Sequence, residues 1–331
     1  VANGVEAVWE RPALRWLLAP LSLAYAAGWT AYRSVYDWGW KRPYRPAVPS
    51  VCVGNLRVGG SGKTPFAAYT ARLLQAAGRQ PVLSMSGYGS SASRGAALAP
   101  SGPLDPARWG DEPALVRDWL PGVPIVAGRD RVLAAQTAER EFPGCTLVLD
   151  DGFQHLRLRC RAQIVLDQPE AAAWCLPGGP YREPRRPGLR RADLVLPNPW
   201  LHVSRQHSLR STSGGPAPWP TEAQIVTAVA RPETLAQLAQ SKGTTVVRVL
   251  TRRDHDPLDE PGLWHGLDPR TPILTTAKDW VKLRARPDSA PAPLLVADYT
   301  CRAEPEQAFV RWLLETLDAP ESQAAVRPRG R

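Results

Sequence analysis

Residues 59–64 read Gly59-Gly60-Ser61-Gly62-Lys63-Thr64, with Pro65 next. Glycines ahead of a lysine and a hydroxyl make a phosphate-handling pattern. Backbone N–H groups of a Gly-rich turn that feeds a helix N-terminus bind anions through their aligned dipoles. A lysine there reaches the β- and γ-phosphates of a nucleotide, and the following hydroxyl ligates Mg2+. Lys63 and Thr64 fit those parts, and Gly59, Gly60, Ser61, Gly62 and Pro65 complete a candidate nucleotide loop. The strict spacing G-x-x-x-x-G-K-[ST] asks for glycine at position 57, where Arg57 stands. The apolar run Val51-Cys52-Val53 before the loop and the helical stretch after it still favour phosphate over a chance Gly-Lys-Thr at a helix cap.

Four further stretches carry chemistry. "LVLDDGFQH" ends an apolar run on Asp150-Asp151. Acids at the end of a buried strand handle Mg2+ in phosphate-loop enzymes; an isolated Asp-Asp-Gly is also an ordinary acidic turn. In "WGDEPALV", Asp111-Glu112 precede Pro113. Asp and Glu cap helices at such places. The other reading is a base for an attacking hydroxyl beside a further metal-shell acid. His255 stands between two acids in "RRDHDP". A flanking carboxylate suits it to a proton relay, although a lone histidine is commonly structural. "LPGGPYREP" offers Arg182, either a bidentate phosphate clamp or a solvated turn residue.

These groups need elements to position them. Stretches at 50–54, 81–89, 123–128, 146–155, 162–167 and 192–198 read as strands. Helical stretches at 62–77, 110–120 and 129–142 alternate with them, the pattern of a parallel sheet covered on both faces. Residues 90–109 read as a mobile loop and 204–222 as a polar loop. Strand, helix and strand follow across 223–256, then two strands within 271–283 and 293–300, then a helix at 305–317. The expected fold class is α/β: a P-loop NTPase-like, mostly parallel sheet flanked by helices, with a smaller C-terminal α/β lobe and an N-terminal membrane-associated helix. The expected divisions are 1–45 (membrane-associated segment), 46–205 (kinase core), 206–318 (smaller lobe closing on the site) and 319–331 (flexible tail).

Composition narrows the partners. The net charge of +10 suits nucleic acid, an anionic membrane or phosphorylated substrates. No basic run interleaved with aromatics appears, so nucleic acid is not expected. The five cysteines are far apart and form no C-x-x-C pair, which indicates neither a zinc site nor a disulfide framework. Residues 13–31 are largely apolar, carry Arg15 and Pro20, and are flanked by Arg11, Arg33, Lys41, Arg42 and Arg45. A secretory signal and a buried core helix are the competing readings. A helix lying in the membrane interface fits best, with Trp16, Tyr25 and Trp29 as anchors.

In order along the chain, "VPSVCVGNLRVGGSGKTP", "GDEP", "GRDR", "LVLDDGFQH", "LPGGPYREP", "DH" and "TTAKDWVKL" resemble the tetraacyldisaccharide 4'-kinases of lipid A biosynthesis. The resemblance runs from about residue 12 to 315. It implies transfer of the γ-phosphoryl group of ATP to the 4'-hydroxyl of a tetraacylated glucosamine disaccharide 1-phosphate, giving the 1,4'-bisphosphate. It implies work at the cytoplasmic face of the inner membrane, and a monomer is expected. It also implies roles. Asp111 is the base toward the hydroxyl, paired with His255, and Lys63 stabilises the transferring group. Thr64, Glu112, Asp150 and Asp151 shape the Mg2+ site, and Arg182 and Arg131 touch the substrate. Three positions depart from the family pattern: Met85-Ser86, Asp256 and Ala277. The alternatives are a soluble regulatory NTPase and a nucleic-acid-dependent ATPase. The first would want N-K-x-D, where "TAKD" stands, and the second a basic aromatic groove.

Overall fold

The computed structural model describes residue 9 and residues 11–167, 174–286 and 288–320. Most of the expected tail at 319–331 and of the first dozen residues lies outside that range. Two sheets organise the chain. The larger one runs β3-β4-β2-β5-β1-β6-β7. Its strands are β1 (Ser50–Gly54), β2 (Pro81–Met85), β3 (Ala97–Leu98), β4 (Ile125–Ala127), β5 (Thr146–Asp150), β6 (Ala162–Leu166) and β7 (Leu194–Leu196). All neighbours are parallel except β3 against β4. Both β1 and β5 are buried along their whole length, which is why they read as unbroken apolar runs rather than alternating ones.

Register sets the site. Parallel neighbours end at the same edge of the sheet, and Val53 pairs with Asp150 across β1 and β5. The loop leaving β1 therefore opens beside the two acids leaving β5. That loop feeds α3 (Lys63–Ala76), whose face carrying Phe66, Ala67, Ala71 and Leu74 is buried against the sheet.

The smaller sheet runs β10-β9-β11-β12-β8, from β8 (His202–Ser211), β9 (Glu222–Thr227), β10 (Thr245–Thr251), β11 (Ile273–Thr276) and β12 (Leu294–Glu304). The first part of the polar loop expected over 204–222 is strand, residues 204–211 belonging to β8. β8 pairs antiparallel with β12 over ten residues, from His202↔Glu304 to Ser211↔Leu295. Of its side chains only Leu209 is buried, so backbone pairing holds it and the apolar pattern is missing. The division expected at 205–206 thus cuts a strand. The 90–109 stretch also carries regular structure: a 3-10 turn at Ser91–Arg94, β3, and the short helix α4 (Pro106–Trp109).

Helix α10 (Glu306–Asp318), expected with the smaller lobe, returns to the larger one. Phe309, Leu313 and Leu317 share a core with Phe66 and Tyr69. The Tyr69 hydroxyl donates to Glu306 at 2.6 Å.

The N-terminal segment folds as α1 (Pro12–Leu17) and α2 (Ala19–Asp37), separated at Leu18. Pro20 opens α2 rather than breaking it, since the first turn needs no N–H from that position. Ser22 is the one buried residue of α2, and its hydroxyl accepts from the Gly178 N–H at 2.8 Å. A Cβ at Gly178 would lie 2.7 Å from that oxygen, so the close approach needs glycine. Tyr25 donates to the Arg182 carbonyl at 2.8 Å, and Trp29 Nε1 to Glu183 at 3.2 Å. Trp16, Leu17, Leu21, Leu23, Trp38 and Trp40 are exposed. Among the described residues no helix is long and apolar enough to cross a membrane.

Candidate active site

The glycine-rich loop ends on Gly62, at φ +85°, which caps α3. That left-handed backbone is costly with a Cβ, and a Cβ there would also approach the Arg205 guanidinium to 2.9 Å. Asn55 braces the loop by donating to Ser61 Oγ at 2.9 Å, and its carbonyl accepts from Gln154 at 2.7 Å. Gly59, Gly60 and Ser61 line a shallow depression with Asn55, Arg57 and Arg231. Pro65 faces a different small depression, with Tyr69, Trp119 and Tyr299.

Thr64 and the acids meet as the register demands. Thr64 Oγ1 donates to Asp150 Oδ2 at 2.7 Å. Asp150 is buried and its Oδ1 has no partner. Burial, and then the Glu112 and Asp151 charges, push its carboxyl up to about 7 against the pull of Thr64 and Lys63. Asp151 goes the other way. Burial raises it, but Lys63 and Arg182 outweigh that and hold it below the usual carboxylate range. Lys63 Nζ lies 3.7 Å from Asp151 Oδ2, and Arg182 Nη1 lies 3.1 Å from both Asp151 oxygens. Arg182 therefore stands at the acidic pair, anchored on Asp151 and Gln154.

Arg131 does not reach a substrate surface. It is 1% exposed, and its guanidinium donates to the carbonyls of Ser84, Gly128 and Asp150. It ties the ends of β2, β4 and β5 together from beneath. Burial lowers its pKa while the Asp150, Cys52 and Asp151 charges oppose that. Its place is under Asp150, where it fixes the strand end.

The second half of the site comes from two lobes. Asp111 starts α5 (Asp111–Trp119), with Glu112 beside it. His255 arrives from the loop after β10. Its Nδ1 lies 3.1 Å from Asp111 Oδ2, 144 positions away in sequence. The His255 backbone has φ +64°, and its N–H donates to Asp254 Oδ1 at 3.1 Å. Burial raises the Asp111 carboxyl, but the His255 hydrogen bond and then Lys282 and Lys278 outweigh it, leaving it below its ordinary value. Lys282 belongs to α9 (Ala277–Leu283) and was quoted above only as part of a motif. Arg205, on β8, donates to the Ser61 carbonyl at 3.3 Å and packs over the Tyr299 ring. Sequence reading missed both. Lys282 had a signal in its four-residue spacing from Lys278; Arg205 had none.

A divalent cation fits these donors. The unpartnered Oδ1 of Asp150 and its raised pKa mark a carboxylate in want of positive charge. Among the described residues no group of three or more His, Cys, Asp or Glu side chains makes a complete cage. That suits Mg2+, which is commonly held by one or two carboxylates together with substrate phosphates.

Comparison with known proteins settles the relationship. The profile of the LpxK family, tetraacyldisaccharide-1-P 4'-kinase, matches residues 14–318. The chain belongs to the tetraacyldisaccharide-1-P 4'-kinase family. The tetraacyldisaccharide 4'-kinase of Halorhodospira halophila is 36% identical, over 82% of this chain and 85% of that protein. That of Syntrophus aciditrophicus is 29% identical, over 94% and 97%. Among solved structures, the "apo" form of LpxK from Aquifex aeolicus in complex with ATP superposes with a TM-score of 0.77. It is 25% identical and covers 92% of this chain and 99% of that one. The α/β fold expected from the sequence is the fold of this family. Two of the positions read above as departing from the motif pattern have local structural roles. Asp256 caps its own turn through Leu258 N–H at 2.9 Å and leaves the His255–Asp111 contact intact. Ala277 opens α9 behind Thr276, whose hydroxyl accepts from Asp279 N–H.

Proposed function

We propose that this chain transfers the γ-phosphoryl group of ATP to the 4'-hydroxyl of a tetraacylated glucosamine disaccharide 1-phosphate. The product is the 1,4'-bisphosphate of lipid A biosynthesis. The observation that carries the reading is the Asp111–His255 contact of 3.1 Å, built across two lobes beside a phosphate loop. Phosphate binding alone needs no such pair. A hydroxyl acceptor does, because an alcohol is a weak nucleophile until a base orients it and takes its proton.

In this mechanism the loop amides and Lys63 hold the β- and γ-phosphates. Asp111 accepts the hydrogen bond of the 4'-hydroxyl. His255 fixes the Asp111 carboxylate and shares the proton that it receives. The 4'-oxygen bonds to the γ-phosphorus, the bond to the bridging oxygen breaks, and ADP leaves with the electron pair. Lys63 neutralises charge on the transferring group. Mg2+ would be held by Thr64 and Asp150 together with the substrate phosphates, with Asp151 and Glu112 adding negative charge around it, and would supply further neutralisation of the phosphate oxygens when bound. Arg182 steadies Asp151 and stands where the substrate's sugar or phosphate approaches. The protein acts as a monomer at the cytoplasmic face of the inner membrane. Helices α1 and α2 lie in the interface there, and the net charge of +10 faces anionic lipid.

The test is transfer of label from γ-32P-ATP to the tetraacyl disaccharide 1-phosphate in detergent micelles. Wild type should label the lipid, and Asp111→Ala should lose about 100-fold or more of the rate. ATP hydrolysis without labelled lipid would sink the assignment.

A further inference from the structure

We infer that Lys282 is a positioning residue that sets the Asp111–His255 pair from behind; the inference rests on the kinase reading above. Its side chain is 4% exposed. The ammonium makes one hydrogen bond and two ion pairs. It donates to the Asp256 carbonyl at 2.8 Å, lies 3.0 Å from Asp279 Oδ1, and lies 3.7 Å from Asp111 Oδ2. A buried lysine is costly unless paired and hydrogen-bonded. Asp279 answers that cost. It is fully buried, and its other oxygen accepts from the hydroxyls of Thr227 at 2.6 Å and Thr276 at 2.8 Å and from the Ala228 N–H at 3.1 Å. The partner of Lys282 is thus locked on the smaller sheet, and the ammonium cannot swing away.

The two remaining contacts point at the two members of the pair. The Asp256 carbonyl immediately follows His255, so Lys282 holds the turn that presents the imidazole. Asp111 Oδ2 is the same oxygen that meets His255 Nδ1. One fixed cation therefore places the carboxylate and the imidazole together. The rest of α9 works in the same direction. Lys278, one turn earlier, pairs with Asp254 at 3.1 Å on the other side of His255. Arg284, at the end of the helix, pairs with Asp118 at 2.6 Å on the helix that begins with Asp111. α9 braces both halves of the site, and Lys282 is its central strut. A structural ion pair with Asp279 would not require the Asp111 contact.

The experiment compares Lys282→Met and Lys282→Arg with wild type in steady-state kinetics and crystal structures. It repeats Lys282→Met in an Asp111→Asn background. Misplacing a reacting group by about 1 Å costs on the order of 100-fold in rate. Lys282→Met should lose kcat on that scale, while KM for ATP and for lipid stay within about threefold. Lys282→Arg should recover part of kcat. In the Asp111→Asn background the same change should cost nothing further, because the residue it acts through is gone. An equal loss in both backgrounds, or unchanged kcat in a folded Lys282→Met protein, overturns the inference. If Lys282→Met does not fold, Lys282→Arg decides: a displaced Asp111–His255 pair with wild-type kcat overturns it, and a displaced pair with matching kcat loss supports it. A wild type that never phosphorylates the lipid sinks the kinase reading instead. The crystal structures then judge the positioning by themselves. Asp111 still in contact with His255 in Lys282→Met overturns it; the two apart supports it.

Discussion

Asp150 keeps one carboxylate oxygen on Thr64 and the other without a partner, and its carboxyl is pushed up to about 7 by burial and then by Glu112. A raised acid binds its proton more tightly folded than unfolded. In the metal-free protein the share of stability contributed by Asp150 is therefore fully present below about pH 4, is lost as pH rises through about 7, and changes no further above it, while Asp111 and Asp151, both lowered, contribute in the opposite sense at acid pH. On the proposed reading, Mg2+ binding at Asp150 displaces the same proton. Its apparent affinity should rise roughly tenfold per pH unit below 7 and level off above. Thermal melts with graded Mg2+ at pH 6 and pH 8 check this, with Asp150→Asn as the flat control. An equal dependence in Asp150→Asn would contradict the account. At this scale the sequence displays residue type but not depth. Lys63, Thr64 and the two acids were legible because phosphate and metal chemistry demand those types at those spacings. Arg131 was not, because only the fold shows that its guanidinium faces backbone carbonyls rather than solvent.

Elements were legible where burial leaves a pattern. β1 and β5 are uninterrupted apolar runs because both faces are covered. β8 escaped because ten backbone pairings with β12 hold a strand with a single buried side chain. Helix α10 was visible as a helix, but its docking was not. Amphipathicity says that one face is buried, never against which sheet. Phe309 sits 5.5 Å from the Phe66 ring and 6.4 Å from Tyr69, so this helix clamps the back of the nucleotide-loop helix. Phe309→Ala should cost about 3–5 kcal/mol in urea unfolding and leave kcat near wild type at temperatures where the variant stays folded. A loss of kcat without loss of stability would show that the clamp acts on chemistry.

The whole molecule divides its labour between a nucleotide lobe, a lobe that delivers His255, and a pair of N-terminal helices to which we assign the contact with lipid. Tyr25 and Trp29 attach α2 to the Arg182–Glu183 segment, so α2 is coupled to the acidic pair through one short loop. Trp38 and Trp40 are 68% and 74% exposed, a state that suits headgroup contact better than water. Replacing both with Ser should cut co-flotation with anionic vesicles several-fold, and raised salt should weaken what remains. Unchanged flotation would place the lipid contact elsewhere. The family motifs already paired residues 111 and 255 across the two expected lobes; what sequence did not display is the bracing of that pair by Lys282 and Arg284 of the smaller lobe. The decisive measurement is a proton–phosphorus correlation spectrum of the lipid after incubation with ATP, Mg2+ and the wild-type protein. The account predicts a second phosphate coupled to the proton at the 4'-carbon. Unmodified lipid beside free inorganic phosphate would contradict it.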